Sequence, residues 1–253
     1  MKILRFTLSG RQAFFKQPEV NTYYYFTYGH IHKVALLGML GAILGYSGYT
    51  GQTFDGLHDK NKEIAKFPEF YDRLKNLKIS IIPVCNNGNF LKKMVSFNNS
   101  VGYASKEQGG NLIIKQQWLE NPKWYVYIML DCEEAQKAAD SILHRKCVYM
   151  PYLGTNDHLA DITETEVISG EMISQPEHID SFFTKGTAEV DLDDFEQENP
   201  FKYEENLPCG LDEELNMYVF KRYILTNLSV TKAYKEVYKI ADINGTQYSV
   251  VFD

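Results

Sequence analysis

The sequence lacks the patterns of a metal centre and of a disulfide framework. Its 4 cysteines are widely scattered, with no C-x-x-C pair and no histidine at zinc-finger spacing. It has no G-x-x-x-x-G-K-[ST] phosphate loop, and the acidic run around Asp191 lacks the glycine and glutamate of an EF-hand loop. We therefore expect reduced, structural thiols, no metal ion and no cofactor.

Long apolar runs and targeting segments are also missing. The longest apolar stretch, Val34 to Gly45, is short of the about 20 residues that span a bilayer. No charged segment followed by an apolar stretch and a cleavage site opens the chain. These absences predict a cytoplasmic protein without membrane contact. With 44% hydrophobic residues in 253 positions, the chain can bury a full core.

The chain as a whole has no excess of positive charge, since its net charge is -7, but its first part does have one. Residues 1–150 hold 19 Lys+Arg against 12 Asp+Glu, whereas residues 151–253 hold 7 against 21. Attraction to phosphates depends on the local field and not on the total charge. The partition therefore predicts a nucleic-acid face in the first part and a solvent- or protein-facing acidic remainder.

A basic and aromatic loop follows the first predicted strand. Cations neutralise phosphates and exposed rings stack on unpaired bases, so this mixture favours binding of single-stranded RNA. With 18 Tyr and 15 Phe in the chain, the alternative that many of these rings belong to the core stays open. The candidate RNA-binding residues of the loop are Arg11, Phe14, Phe15, Lys16, Asn21, Tyr23 and Tyr25.

A second set of candidates stands at the start of the next predicted helix. His30, His32 and Lys33 suit phosphate binding at the positive end of a helix. Together with Tyr25, they are also the residue types that cut RNA without metal, by activating the 2′-hydroxyl and protonating the leaving oxygen. Besides phosphate binding and RNA cleavage, a third alternative is that His30 and His32 have no function.

A third candidate site is the loop PYLGTNDH. Gly154 lets backbone amides approach a phosphate or an unstacked base, and His158 can stack or donate a hydrogen bond. An ordinary turn before a strand explains the same residues.

The predicted elements follow the order strand, helix, strand, strand, helix, strand. They cover 2–9, 32–44, 79–84, 124–130, 132–143 and 162–168, with a further amphipathic helix over 62–74 that Pro68 kinks or splits. This order predicts an α+β fold with a ferredoxin-like (RRM-like) β-α-β-β-α-β core. Such a core carries both helices on one face of its sheet and leaves the other face free for a ligand.

Two additions to this core are expected. Residues 86–118 predict a projecting β-hairpin inserted in a first domain, 1–168. Residues 169–253 predict a long, irregular acidic excursion and then a β-rich extension, whose Asn244-Gly245 pair signals a hairpin.

Three segments resemble a known family. SGRQAFFKQPEVNTYYYFTYGHIHKVALLGMLGAILGYSGY is similar to the amino-terminal signature of the fifth family of CRISPR-associated (Cas) proteins, in the RAMP superfamily; the matching positions are Gly10, Ala13, Phe15, Gly38, Gly41 and Gly45. LIIKQQWLENPKWYVYIML and YMPYLGTNDHLADI resemble two further elements of that family. Within this family, the sequence is most similar to the type I-B subgroup.

The resemblance implies an RNA-binding subunit of a type I CRISPR interference complex in antiviral defence. Such a subunit holds the 5′ repeat-derived handle of the guide RNA and contacts the backbone RAMP subunit and the large subunit. It meets target DNA only indirectly, through the complex.

Two rival functions remain. One subtype of the family is itself a metal-independent nuclease, but its Lys-His pair has no counterpart near Lys115 and Gln116, so we expect a non-catalytic protein. The other rival is a structural interaction protein that does not contact RNA.

Overall fold

The computed structural model describes residues 1–20, 23–52, 66–100, 102–103, 106, 108, 110–193, 197–241 and 245–253. Over these residues the fold is mixed α+β, as predicted, and rich in sheet. The helices are α1 (Lys33–Leu44), α2 (Glu69–Leu74) and α3 (Glu133–Leu143). The strands are β1 (Lys2–Ser9), β2 (Gln12–Ala13), β3 (Tyr24–Tyr25), β4 (Ile79–Pro83), β5 (Lys92–Asn98), β6 (Ile113–Glu120), β7 (Lys123–Met129), β8 (Asp161–Ile173), β9 (Phe183–Thr184), β10 (Ala188–Val190), β11 (Lys202–Leu211), β12 (Tyr218–Thr226), β13 (Val230–Ala233), β14 (Val237–Ala241) and β15 (Gln247–Val250).

The main sheet has the strand order β4-β7-β1-β8-β14-β15, and every pair of neighbours in it is antiparallel. The helices α1 and α2 lie in the chain between β1 and β4, and α3 lies between β7 and β8. Residues Ile3 to Leu8 of β1 are all buried, so this strand is covered on both faces. The polar side chains of Arg5 and Thr7 are buried with the apolar ones, and both donate hydrogen bonds to Glu164.

The second face of this sheet is closed, and the predicted open face is wrong. Ile3, Tyr127 and Val250 pack there in a second hydrophobic cluster, and each has an exposed fraction of 0%. The backbone of Asp253 exchanges two hydrogen bonds with that of Ile79, at 3.0 and 3.1 Å. β14 and β15 extend the sheet beyond β8, and strand twist brings the end of the described chain back to β4.

Helix α1 is the most apolar element of the core. His32 caps its start, where the imidazole Nδ1 accepts a hydrogen bond from the Ala35 amide at 3.2 Å. Gly45 ends it in the left-handed conformation, with φ of 81°. The sheet, α2, α3 and β11 surround the helix, which explains why it carries no polar stripe.

Pro68 marks the start of the observed part of the helix predicted over 62–74, and Lys66 and Phe67 before it are not helical. It precedes the first residue of α2, in extended conformation with ψ of 147°. A proline fits this position because the first amides of a helix have no partner within the helix. The part of that prediction before residue 66 lies outside the described residues.

The predicted irregular acidic excursion contains regular strands. β11 pairs with β12 over Lys202 to Leu211, and β12 pairs with β9. Leu207 and Leu211 join the main core, while Glu204 stays exposed and pairs with Lys202 at 2.8 Å. Acidic residues therefore decorate the outer side of a strand whose apolar residues cover α1.

The segment predicted as a hairpin forms an antiparallel pair of strands, β5 and β6. β6 also pairs with β2 in antiparallel and with β3 in parallel orientation. These pairings attach the aromatic loop to the hairpin. In the described part of the chain, no helix is long and apolar enough to cross a membrane.

Two glycines of α1 provide a matched test of its packing. An added Cβ at Gly41 would lie 2.5 Å from Cβ of Phe70, whereas one at Gly38 would meet only the Phe70 ring, at 3.9 Å. We expect Gly41→Ala to lower the free energy of unfolding by about 1–3 kcal/mol through overpacking. Gly38→Ala should raise it by up to about 1 kcal/mol through helix propensity. Urea unfolding measures both, and equal effects would contradict this packing.

Candidate nucleic-acid interface

A groove of about 830 Å³ lies along α1. We call it the tyrosine cleft. Its walls are formed by residues 14–16 after β2, by the exposed side of α1, and by two tyrosine-rich segments, 46–49 and 149–152. The lining residues are Phe14, Phe15, Lys16, His32, Val34, Ala35, Gly38, Met39, Ala42, Tyr46, Ser47, Gly48, Tyr49, Phe70, Tyr149, Tyr152, Gly154, Thr155 and Tyr218.

Small residues of α1 create the space of the cleft. Ala35, Gly38 and Ala42 follow one another at helical spacing along the lining. Side chains at these positions end at Cβ or before it, so the helix surface forms a shallow floor. Gly41, which does not line the groove, allows the close packing against Phe70, whereas Ala35, Gly38 and Ala42 leave the groove open.

Exposed tyrosines form the rim of the cleft. Tyr49, Tyr149 and Tyr152 have exposed fractions of 46%, 61% and 45%. Tyr49 packs edge-on against Phe70, with ring centroids 6.0 Å apart. The Tyr149 amide donates to the Ala42 carbonyl of α1 at 3.1 Å, which fixes its backbone. Tyrosine rings that keep an open face are suited to stack on unpaired bases.

Sequence reasoning missed these rim tyrosines. They come from GYSGYT after α1 and from VYMPY before the Gly154 loop, 100 residues apart for Tyr49 and Tyr149. The available signal was the basic stretch HRK, which Cys147 separates from VYMPY. Nothing in the local pattern shows that the two segments meet.

Lys16 and Gly154 are the predicted residues that face the cleft from the loop side. The Lys16 ammonium is exposed and lies 4.4 Å from the centroid of the Tyr25 ring. Gly154 has φ of 91°, and a Cβ there would lie 1.8 Å from the Phe14 carbonyl oxygen. Because no other residue fits this contact, Gly154 is required for the fold, whether or not its amide meets a phosphate.

Phe14 and Phe15 line the inner wall of the cleft and are buried, so their faces are covered by protein. Phe15 packs edge-on against His32 and Trp124, with centroid distances of 6.2 and 6.0 Å. The alternative of core rings, left open by the composition, describes these two residues in this structure.

A second groove, of about 710 Å³, lies between the aromatic loop and the hairpin. We call it the hairpin groove. Tyr23, with an exposed fraction of 83%, lies beside Tyr24 and Tyr25. The Lys115 ammonium lies 4.9 Å from the centroid of the Tyr24 ring, so a cation and a ring are paired here too. Tyr25 belongs to this groove and, through Lys16, touches the tyrosine cleft.

His30 lies in the core with both imidazole nitrogens engaged. Nε2 donates to the Gly88 carbonyl at 2.8 Å, and Nδ1 accepts from the Trp124 indole at 3.4 Å. The rings of Phe90, Phe182 and Tyr203 surround it at 4.9 to 5.1 Å. Burial lowers the pKa of His30 from 6.5 to about 4, so the ring is neutral at neutral pH.

His32 is buried as well, although it borders the cleft. Its ring packs edge-on against Tyr28 and Tyr218, with both centroid distances 5.3 Å. Burial lowers the pKa of His32 from 6.5 to about 3. A neutral imidazole is consistent with Nδ1 acting as the acceptor of the helix cap.

The remaining candidates lie apart from the cleft. Lys33 donates to the Asp253 carbonyl at 2.9 Å, and burial lowers its pKa. His158 is buried edge-on against Trp118 at 4.6 Å, and burial lowers its pKa. Arg11 is exposed and does not line either groove. Asn21 lies outside the described residues.

The tyrosine cleft thus brings together Phe14, Phe15, Lys16, His32 and Gly154 of the sequence-based set. Tyr23 and Tyr25 lie in the neighbouring hairpin groove. RNA contact by each of these residues stays a prediction. Among the described residues, no three His, Cys, Asp or Glu side chains are clustered as metal ligands.

The two buried histidines predict acid sensitivity. Between pH 6.5 and the lowered pKa values of about 4 and about 3, the unfolded chain binds protons that the folded chain does not. Their contribution to stability is therefore full above pH 6.5 and is lost as the pH falls, at about 1.4 kcal/mol per pH unit for each imidazole.

His32→Asn keeps a cap acceptor without a titrating ring. It should reduce the slope of unfolding free energy against pH between 6 and 4.5 by about 1.4 kcal/mol per pH unit. Leu36→Ala, a matched control in the same helix, removes a buried side chain that does not titrate, so it should lower the free energy of unfolding and leave this slope unchanged. Urea unfolding at a series of pH values measures both, and an unchanged slope in His32→Asn would contradict the account.

No family model matches the sequence, and no curated protein matches it either. Solved structures do match. A chain of a CRISPR RNA-guided surveillance complex superposes with a TM-score of 0.54 at 12% identity, covering 90% of this chain and 91% of that chain. A CRISPR protein from Archaeoglobus fulgidus superposes with a TM-score of 0.50 at 9% identity, covering 99% of each. The chain therefore has the fold of CRISPR-associated proteins, as the resemblance in its sequence implied.

Proposed function

We propose that this chain is a non-catalytic RNA-binding subunit of a CRISPR RNA-guided complex, and that the tyrosine cleft and the hairpin groove hold unpaired RNA. The fold is consistent with this role, since a structure of the same fold belongs to a CRISPR RNA-guided surveillance complex. The strand order β4-β7-β1-β8, with its connecting helices, supports a ferredoxin-like unit as the central part of the fold.

The observation that carries the proposal is the rim of the tyrosine cleft. Open tyrosine faces line a groove of about 830 Å³, within the ~300–1,000 Å³ usual for ligand sites. Lys16 lies on the same groove and supplies a cation for a backbone phosphate. Rings for bases and a cation for the phosphate are the combination that single-stranded nucleic acid needs.

The identity of the RNA and of the neighbouring subunits is proposed from the resemblance in the sequence. On that basis the RNA is the 5′ repeat-derived handle of a guide RNA in a type I, I-B-like complex in the cytoplasm. The backbone RAMP subunit and the large subunit are the expected protein neighbours, and target DNA is met through the complex.

The burial of the histidines favours binding over cleavage. Both nitrogens of His30 are occupied by protein partners, and Nδ1 of His32 caps α1. An acid or base in RNA cleavage must reach the proton that it transfers. Rings enclose His30, and His32 is buried between Tyr28 and Tyr218 although it borders the cleft, which supports binding over cleavage.

Removing rim rings tests the cleft. We expect Tyr49→Leu and Tyr152→Leu each to weaken binding of a labelled single-stranded CRISPR repeat RNA by about 5- to 150-fold, because a base–ring stack contributes ~1–3 kcal/mol. The matched control is Tyr234→Leu, an exposed tyrosine that carries the Lys232 ammonium 4.8 Å from its ring centroid. It adjoins the separate β10–β13 sheet and should bind like the unmodified chain. Equal changes in RNA affinity for all three variants would contradict RNA binding in the tyrosine cleft.

Removing a cation tests the phosphate contact. Lys16→Ala should weaken binding and reduce the slope of log K against log salt by about 0.7, as expected for one fewer counterion released from a single strand. Arg11→Ala tests the same property outside the cleft. Lys239→Ala, at an exposed position on β14, is the control. Titrations from low to high salt should separate Lys16 from Lys239, and identical slopes would argue against a phosphate at Lys16.

Cleavage is tested directly. The purified chain, incubated with labelled repeat RNA in EDTA, should leave the RNA intact over hours. Defined cleavage products that disappear in His30→Ala would instead show a metal-independent nuclease.

A further inference from the structure

A second exposed surface follows α3 and adjoins the tyrosine cleft through Tyr149. It is the segment that follows α3, and we call it the basic-apolar ridge: Arg145, Lys146, Cys147, Val148 and Met150. All of these residues are exposed, and Val148 and Met150 have exposed fractions of 63% and 65%. None of them lines the cleft, which this segment reaches through Tyr149 and Tyr152.

The ridge is held in place by the end of α1. The Val148 amide donates to the Ile43 carbonyl at 2.9 Å, and the Tyr149 amide donates to the Ala42 carbonyl. An added Cβ at Gly45 would lie 2.9 Å from Cγ2 of Val148, so this side chain rests on the helix terminus. A surface whose backbone is already fixed loses little conformational entropy when a partner binds.

The charges of the ridge have no partner within the described chain. Among the described residues, neither Arg145 nor Lys146 forms an ion pair, whereas Arg73 and Lys137 each pair with Glu134. Asp140 lies 3.0 Å from Nδ1 of His144, the residue before the ridge. Two unpaired cations next to exposed apolar side chains fit a surface that offers carboxylates around an apolar contact.

The backbone of Arg145 gives a second indication. It has φ of 53°, in the left-handed turn that ends α3, where its amide donates to Ile142 and that of Lys146 donates to Ser141. Glycine is favoured at such a position because a Cβ is strained there. An arginine at this position carries a cost in stability, which a function of its side chain would explain.

We infer that the basic-apolar ridge is a docking surface for a protein whose contacting face is apolar and bordered by carboxylates. The inference rests on the proposed function, since a complex subunit needs a surface for its neighbours. Val148 and Met150 neither stack on bases nor neutralise phosphates, and the rings that do so turn to the cleft. Methionine and arginine are enriched at protein interfaces, which favours protein over RNA as the occupant.

Cys147 is a natural reporter of the occupant, because it is exposed between Lys146 and Val148. The affinity-tagged chain is purified under native conditions from the organism that encodes it, and maleimide labelling of Cys147 is followed by peptide mass spectrometry. We expect labelling at least tenfold slower in the protein-containing particle than in the isolated chain. Repeat RNA added to the isolated chain should change the rate less than twofold.

Three results would overturn the inference: equal labelling in the particle, protection by RNA alone, or recovery of the chain without any protein partner. In a different outcome, the isolated chain fails to bind repeat RNA while Cys147 is protected in the particle. That result would support protein docking at the ridge and contradict the proposed RNA binding. The two failures are therefore distinguishable.

Variants identify the chemistry of the contact. Met150→Ser, which changes no charge, should reduce partner recovery at least tenfold with RNA affinity changed less than twofold. Arg145→Glu combined with Lys146→Glu should reduce recovery by at least as much. Lys239→Glu reverses an exposed cation on β14 and should leave recovery unchanged.

Arg145→Gly separates docking from folding. It should raise the midpoint of thermal unfolding by about 2–4 °C, because it relieves a left-handed residue, and still weaken partner recovery. Full recovery in this variant and in the double charge reversal would contradict the inference.

Discussion

The close packing of α1 on every side except the one that holds Ala35, Gly38 and Ala42 is the constraint on which the candidate surfaces depend. The helix needs small residues where neighbours approach closely, as Gly41 does at Phe70. The small residues Ala35, Gly38 and Ala42 form the floor of the tyrosine cleft. The carbonyls at its end fix the segment that carries both Tyr149 and the ridge. One helix thus positions a groove suited to bases and, beside it, a surface suited to protein.

Elements with a strong local pattern could be predicted from the sequence. The alternation in β1 and the apolar run of α1 define their elements to within a residue, and the glycine at 154 indicates a special backbone position. The position of the rim tyrosines could not be predicted, because it depends on contact between segments about 100 residues apart. The closed second face could not be predicted either, since it depends on contact between distant parts of the chain, as between Ile79 and Asp253.

The histidines show why residue type alone misleads about chemistry. His30 and His32 have the composition of an RNA-cutting site, yet rings enclose them and lower their pKa values. They stabilise the loop and helix that carry the cleft. Under the proposed function, the groups that meet RNA are tyrosine faces and lysine ammonium groups at the surface, which are suited to hold a strand.

Ultraviolet crosslinking of bound single-stranded repeat RNA, mapped by mass spectrometry, tests the central claim most directly. If RNA binds in the tyrosine cleft, crosslinks will form in the two peptides that carry Tyr49 and Tyr149 to Tyr152. Crosslinks confined to the β11–β12 sheet, with these peptides unmodified, would contradict it.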